Sequence, residues 1–419
     1  MEKFIVEKSH SLKGVIDISG SKNAALPILA ACVLTDGECV IEGVPPLNDV
    51  TTMLELIREL GCKTNYEGET ISVRGKDIDN LTLDYNEVKK IRASFLLAGA
   101  MLSRFGRADI ALPGGCSIGL RPVDLHLKGF EALGAVCENE HGIIHIRCEK
   151  LKGCEIYLDF PSVGATENIM LAASLAEGTT LIRNCAAEPE IADLADFLNK
   201  MGADIEGAGS DLIKINGVKS LHGCHHRIIP DRIEAGTFML AAAATGGKIR
   251  LNNVCTAHMT ALIHKLREAG AQINEEENSI TLEKRGKTVN TCIKTMPYPG
   301  FPTDMQAQFM ALMATGRGTG IVNETVFENR FMCAGELTRM GADIKVEGRC
   351  AVVKGVRELT GTAVKATDLR AGAALIISAL AAEGKTEIGE IEHIDRGYFH
   401  IENKLSGIGA RIERRSYED

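Results

Sequence analysis

Six times along the chain an alanine- and leucine-rich segment runs into a glycine that opens a short β-like run. The glycines are Gly37 (ECVIEG), Gly106 (RADIAL), Gly178 (TTLIRN), Gly246 (GKIRLNN), Gly316 (RGTGIVNE) and Gly384 (KTEIGE). They recur roughly every 70 residues, the mark of internal duplication. After each β-run comes a second helical pattern that stops at another glycine: Gly61, Gly134, Gly202, Gly270, Gly341 and Gly409. A glycine just past a helix suits the left-handed C′ position that a Cβ would penalise. Alternating stretches such as TISVRG, IIHIRC, LIKING and SITLEK follow, with the period of half-buried strands. Each unit therefore reads as helix, strand, helix, then strands.

The sixth copy runs out at ARIERRSYED before its closing strands, while the chain opens with two strand-like stretches, FIVEKS and GVIDIS, ahead of the first helix. The expectation is that this N-terminal hairpin completes the last unit. Residues 1–20 then belong with 230–419 in a second domain, and 21–229 form a first domain inserted between them, three units to each. An open solenoid is the alternative, but units of this length with mixed strands close around a core more readily than they stack. The fold class expected is α/β, a two-domain inside-out barrel of six repeated helix-strand-helix-strand units.

At 419 residues with 45% apolar content the chain has material for two sizeable cores. A formal charge of -9 argues against a nucleic-acid or anionic-membrane surface, so any anion site must be local. The 13 cysteines, odd in number and without a C-x-x-C pair, fit free thiols in a reducing compartment, most of them in the core. MEKFIVEKSH carries charges where an export signal needs an apolar core, and the Ala371–Ala382 stretch falls short of the roughly 18 residues of a membrane span. A cytoplasmic protein without membrane insertion is expected; the oligomeric state stays open.

Function is sought where one copy departs from the rest. The two marker glycines are 24 or 25 residues apart in five copies, but Gly106 and Gly134 are 28 apart. The extra residues lie in LPGGCSIGLRPVD, where Pro113, Gly114, Gly115 and Gly119 surround Cys116, with Arg121 close by. Such a loop can approach a ligand closely. A second pattern lies just before each alanine-rich helix: Lys22 and Asn23, Arg92, Ser162 to Thr166, Arg232, Asp304, then Asp368 with Arg370. Helix N-termini favour anions through unpaired N–H groups, and the cations strengthen that preference. The turns before the second helices add Arg121, Arg330 and Arg396 at matching points of three copies. Guanidinium groups grip carboxylate and phosphate bidentately and keep their charge at neutral pH. An anionic substrate is expected, against the bland reading in which each arginine braces its own turn.

Other signals are weaker. GSKNAA lacks the spacing of a P-loop, and no G-x-G-x-x-G follows a strand. Cys224, His225 and His226 are adjacent and cannot converge on one zinc ion, so they read as surface or interface residues. His126 is equally open to packing and to ligand contact.

The motifs GSKNAALP (20–27), IRASFLLAG (91–99), PGGCSIGLRPVDLHLKGFEALGA (113–135), PSVGATENIMLAA (161–173), PDRIEAGTFM (230–239), YPGFPTDMQAQ (298–308), ENRFM (328–332), DLRAGAALI (368–376) and HIDRGYFHIENKL (393–405) together resemble the bacterial UDP-N-acetylglucosamine enolpyruvyl transferases over essentially the whole length. The resemblance implies two inside-out α/β domains with substrates in the cleft between them. It implies transfer of the enolpyruvyl group of phosphoenolpyruvate to the 3′-hydroxyl of UDP-N-acetylglucosamine with release of phosphate, the first committed step of peptidoglycan synthesis, without metal or organic cofactor.

Carried onto matching positions, the resemblance makes Cys116 the proton donor and the site of a covalent adduct with phosphoenolpyruvate or with fosfomycin. Some relatives carry Asp at this position, which makes the acid function essential and the nucleophile optional. Asp304 becomes the base for the sugar hydroxyl. Lys22, Asn23, Arg121, Arg330, Arg370 and Arg396 become the phosphoenolpyruvate ligands, with Lys22 and Arg396 also counted as catalytic. Arg92, Arg121, Pro122, Val123, Asp124, Leu125, Ser162, Val163, Gly164, Asp304 and Val326 become contacts of the sugar nucleotide. Two rivals stand beside this reading, a shikimate-pathway enolpyruvyl transferase and a catalytically silent repeat protein that only binds.

Overall fold

In the computed structural model of the chain, residues 2–112 and 123–416 are described. They divide into two compact units, one drawn from 20–112 and 123–229, the other from 2–19 and 230–416. The 24 strands of the described residues form six sheets of four, one for each repeat.

The first repeat shows the plan. Its buried helix, Lys22–Ala31, is apolar all round, so nearly every residue is covered. The strand Glu38–Glu42 follows, then the amphipathic helix Asn48–Glu59, whose buried Val50, Met53, Leu54 and Ile57 keep the helical spacing of a single face. A hairpin, Lys63–Glu67 with Thr70–Arg74, returns to the sheet, and register pairs Cys39 with Val73 and Ile41 with Ile71 on the inner face. The second glycine of every repeat is left-handed, with φ between 90° and 108° at Gly61, Gly134, Gly202, Gly270, Gly341 and Gly409, as the C′ argument requires.

One edge strand of each sheet runs parallel to the strand that follows the buried helix, and where it comes from closes each unit on itself. The sheet of Glu38–Glu42 takes His225–Arg227, from the end of the third repeat. The sheet of Lys248–Asn252 takes Lys13–Asp17, from before the first helix. The chain passes from one unit to the other at Ser19–Gly20 and back at Ile229–Pro230.

The expectation of a single N-terminal hairpin is corrected here. Glu2–Glu7 lies antiparallel between Lys385–Gly389 and Arg411–Ser416, where it replaces the missing closing strand of the sixth repeat. Lys13–Asp17 leaves it and joins the fourth repeat. The reason is hydrogen-bonding capacity. A strand inside a sheet has both edges occupied, so Glu2–Glu7 has no free edge left for a hairpin partner.

In the unit built from 2–19 and 230–416, the helices Arg232–Thr245, Gln306–Ala314 and Leu369–Ala381 form the centre, with Phe238, Phe309 and Leu375 fully buried. Sheets and amphipathic helices cover them. Side chains of this size contribute about 1.5–3 kcal/mol each when taken from water. The charged and amide residues of these inner helices, Arg232, Glu234, Gln306, Gln308 and Arg370, all lie in their first turns, and those turns carry the candidate site.

On the outer face of the second repeat, Asp109 gathers two arginines and a histidine and is 3% exposed. His145 Nδ1 lies 2.6 Å away, Arg147 donates at 2.6 Å and Arg107 at 2.7 Å. Burial pushes the Asp109 carboxyl up, but His145, Arg107 and Arg147 together hold it below the usual carboxylate range. A depressed folded pKa means that the stability is present above the unfolded value, about 3.9, and is lost as pH falls through the folded value. Asp109→Asn is therefore expected to cost about 1–3 kcal/mol at pH 7, discounted because the cations are partly exposed. The gap to the parent should narrow as pH falls from about 3.9 through the depressed folded value, which urea unfolding along that descent checks.

Candidate active site

Four of the six inner helices begin with a side-chain cap. Ser21 accepts from Ala24 N–H, Ser162 from Ala165 N–H, Asp231 from Ile233 and Glu234 N–H, and Asp368 from Arg370 and Ala371 N–H. Short 3₁₀ turns precede the other two, and they carry Arg92 and Asp304. The caps already satisfy part of the N–H groups expected to attract anions. Selectivity for a charged ligand thus falls to side chains.

In the unit of 20–229, Lys22 opens its helix with the ammonium 3.0 Å from Asp49, and both side chains are buried. Asn23 follows on the next position, half-buried, and Arg92 opens the turn Arg92–Leu96. Val123 caps the helix Asp124–Ala132, on which Asp124 is exposed and Leu125 half-buried. His126, next along, is a packing residue. Its ring meets Phe95 edge-on at 5.2 Å, and its Nδ1 accepts from Asn168 Nδ2 at 3.0 Å. Asn168 also donates to Phe95 O and accepts from Gly99 N–H. Gly164 completes the arrangement, because a Cβ there would stand 3.3 Å from His126 Cε1. The start of the Asp124 helix and the segment Ser162, Val163, Gly164 are thereby held against each other through one imidazole.

In the unit of 2–19 and 230–416, Asp304 receives two guanidinium groups. Arg330 donates to Oδ1 at 2.6 Å and Arg370 to Oδ2 at 3.1 Å, and both arginines are almost wholly buried. Arg370 also donates to the hydroxyl of Tyr398, which shares a hydrogen bond with Thr237 at 2.8 Å. Burial alone would lower the Arg370 pKa, yet Asp304, Tyr398 and Asp231 raise it above the ordinary guanidinium value, so the charge is permanent. The same burial pushes the Tyr398 phenol up. Val326 follows the strand Thr319–Asn323, and its N–H donates to Glu324. Arg396 caps the turn Glu392–Asp395, which Arg414 clamps through Asp395 at 2.6 and 3.0 Å and Glu402 at 3.1 Å. Cys116, Arg121 and Pro122 lie outside the described residues.

Two clusters of opposed charge thus sit at the openings of buried helices, one in each unit. Residues 6–405 match the family model of EPSP synthase (3-phosphoshikimate 1-carboxyvinyltransferase). The chain is 57% identical over 418 residues to UDP-N-acetylglucosamine 1-carboxyvinyltransferase 2 of Carboxydothermus hydrogenoformans, covering 99% of this chain and all of that one. It is 55% identical to UDP-N-acetylglucosamine 1-carboxyvinyltransferase 1 of Caldanaerobacter subterraneus, covering 99% of both. The chain belongs to the enolpyruvyl transferase family.

Solved structures agree on the architecture of an enolpyruvyl transferase. The enolpyruvyl transferase NikO from Streptomyces tendae superposes with a TM-score of 0.90 at 25% identity, covering 100% of this chain and 99% of that one. EPSP synthase from Acinetobacter baumannii shares the fold with a TM-score of 0.76 at 19% identity, covering 99% of this chain and 100% of that one. Against this family background, the sequence reading missed Asp49, Tyr398 and Glu324, each of which grips a singled-out residue or its neighbour. Asp49 stands in an ordinary amphipathic helix, and only the fold brings it to Lys22. Tyr398 lay within a quoted motif without a role. The reading of His226 as a surface or interface residue is corrected: it is 3% exposed, with Nε2 2.9 Å from Asp193 and Nδ1 accepting from Lys200 at 3.0 Å. All 12 cysteines among the described residues are free thiols.

Proposed function

We propose that the chain transfers the enolpyruvyl group of phosphoenolpyruvate to the 3′-hydroxyl of UDP-N-acetylglucosamine and releases phosphate, the first committed step of peptidoglycan synthesis. The observation that carries this reading is full-length identity of 57% to a relative bearing the name of that activity. Residues 21–229 serve as the first enolpyruvyl-transferase domain and residues 1–20 with 230–419 as the second. Lys22, Asn23, Arg121, Arg330, Arg370 and Arg396 match the phosphate and carboxylate of phosphoenolpyruvate. Arg92, Arg121, Pro122, Val123, Asp124, Leu125, Ser162, Val163, Gly164, Asp304 and Val326 contact the sugar nucleotide.

The chemistry is addition followed by elimination. Cys116 gives a proton to C3 of the vinyl group, which leaves positive character at C2. The sugar 3′-oxygen bonds to C2 while Asp304 takes its proton. Loss of a C3 proton and cleavage of the C2–O bond to phosphate then restore the double bond in the product. Lys22 and Arg396 steady the charge that the phosphate acquires as it leaves. Addition of the Cys116 thiolate to C2 instead gives a thioether adduct, and the same thiolate is the point of attack for fosfomycin.

The reading places the chain in the cytoplasm as a cell-wall transferase, and so in the maintenance of cell shape and division. No helix of the described residues is long and apolar enough to cross a membrane. Phosphate release measured with phosphoenolpyruvate and each acceptor decides between this reading and its rivals. Release is expected with UDP-N-acetylglucosamine and not with shikimate 3-phosphate, the acceptor suggested by the name of the matching family model. Release with shikimate 3-phosphate alone would move the chain to that activity, and release with neither would leave a binding protein.

A further inference from the structure

The geometry points to Glu324 as a positioning residue that fixes both Asp304 and the Val326 turn for the transfer reaction. It stands directly after the strand Thr319–Asn323 with no exposed surface. One carboxylate oxygen accepts from Thr295 Oγ1 at 2.8 Å, Val326 N–H at 2.8 Å and Phe327 N–H at 3.2 Å. The other accepts from Thr303 Oγ1 at 2.9 Å. A fully buried carboxylate is tolerated only where donors surround it, and here four do.

Where those donors come from gives the residue its role. Thr303 immediately precedes Asp304, and its hydroxyl oxygen accepts from Arg330 at 3.1 Å while the hydrogen goes to Glu324. Phe327 lies under the Arg330 guanidinium, 5.1 Å from ring centre to carbon. Glu324 therefore reaches Arg330 by two routes, through the Thr303 hydroxyl and through the backbone of Phe327. Arg330 in turn holds Asp304 at 2.6 Å. The same carboxylate sets the N–H of Val326, assigned above to the sugar nucleotide. A misplacement of about 1 Å at a reacting group costs on the order of a hundredfold in rate, so a buried anchor of both turns acts on turnover without touching substrate.

The inference rests on the functional reading above, and its test separates the two. Glu324→Gln keeps the size of the side chain but turns one acceptor into a donor that faces other donors. In the full chain it is expected to lower kcat by about tenfold or more and to raise the KM for UDP-N-acetylglucosamine by a similar factor. In an Arg330→Ala background the same change should alter kcat by less than about threefold, because the route it acts through is gone. Folded Glu324→Gln with parental constants, or an equal loss in both backgrounds, overturns the inference and leaves the functional reading intact. Should Glu324→Gln fail to fold, Thr303→Val decides: a kcat loss of about three- to tenfold supports the relay, and parental kcat overturns it. Absence of phosphate release by the parent chain with both substrates would overturn both readings.

Discussion

Asp304→Ala is expected to depress turnover by a factor on the order of 10²–10⁴, the usual worth of a positioned general base. The sugar nucleotide should still bind, weakened by no more than about tenfold, since one hydrogen bond is worth about 1–1.5 kcal/mol. Alanine also strips Arg330 and Arg370 of the carboxylate they share, leaving two buried cations without it. Asp304→Asn isolates the proton-accepting role, because the amide keeps the shape and one acceptor oxygen while losing basicity. Both variants should show the same fall in kcat, with Asp304→Asn closer to the parent in thermal stability. Steady-state phosphate release beside calorimetric binding makes the comparison. An Asp304→Asn protein that keeps more than about a tenth of parental turnover would remove Asp304 from the base role.

The repeat count and the inner helices were legible because they rest on local rules. A glycine that must be left-handed marks a helix end whatever surrounds it, and a segment apolar on every side has nowhere to go but the core. The destination of Lys13–Asp17 was not legible. Its alternation says strand, but which edge receives it depends on which edges other strands have filled. The site divides in the same way. Arginines at equivalent turns could be read from spacing, whereas Glu324 and Asp49 have no sequence signature, since a buried carboxylate looks like any surface acid until its donors are placed around it. The cations also proved more self-satisfied than expected, with Lys22 on Asp49 in one unit and both Arg330 and Arg370 on Asp304 in the other.

Cys116→Asp should remain a transferase yet resist alkylation, whereas Cys116→Ser should lose turnover by about 10²-fold or more, because a hydroxyl is far too weak an acid to protonate C3. The aspartate carboxyl can give a proton but has no thiolate to open an epoxide or add to C2. Its lower pKa, about 3.9 against about 8.5 for a thiol, leaves less of the acid form as pH rises. The variant should therefore approach the parent best near about pH 5.5 and fall behind toward about pH 8. Peptide mass mapping after exposure to fosfomycin locates the adduct. Burial pushes Cys62 and Cys137 up to about 12 and Cys185 to about 11, so these thiols stay protonated and slow at neutral pH. Exposed Cys292 is the internal control for indiscriminate labelling. Alkylation confined to the Cys116 peptide, with turnover surviving in Cys116→Asp, fits a proton donor whose nucleophilicity is incidental. A fully active Cys116→Ser would take the acid role from this residue, and labelling of Cys292 at the same rate would take away its special reactivity.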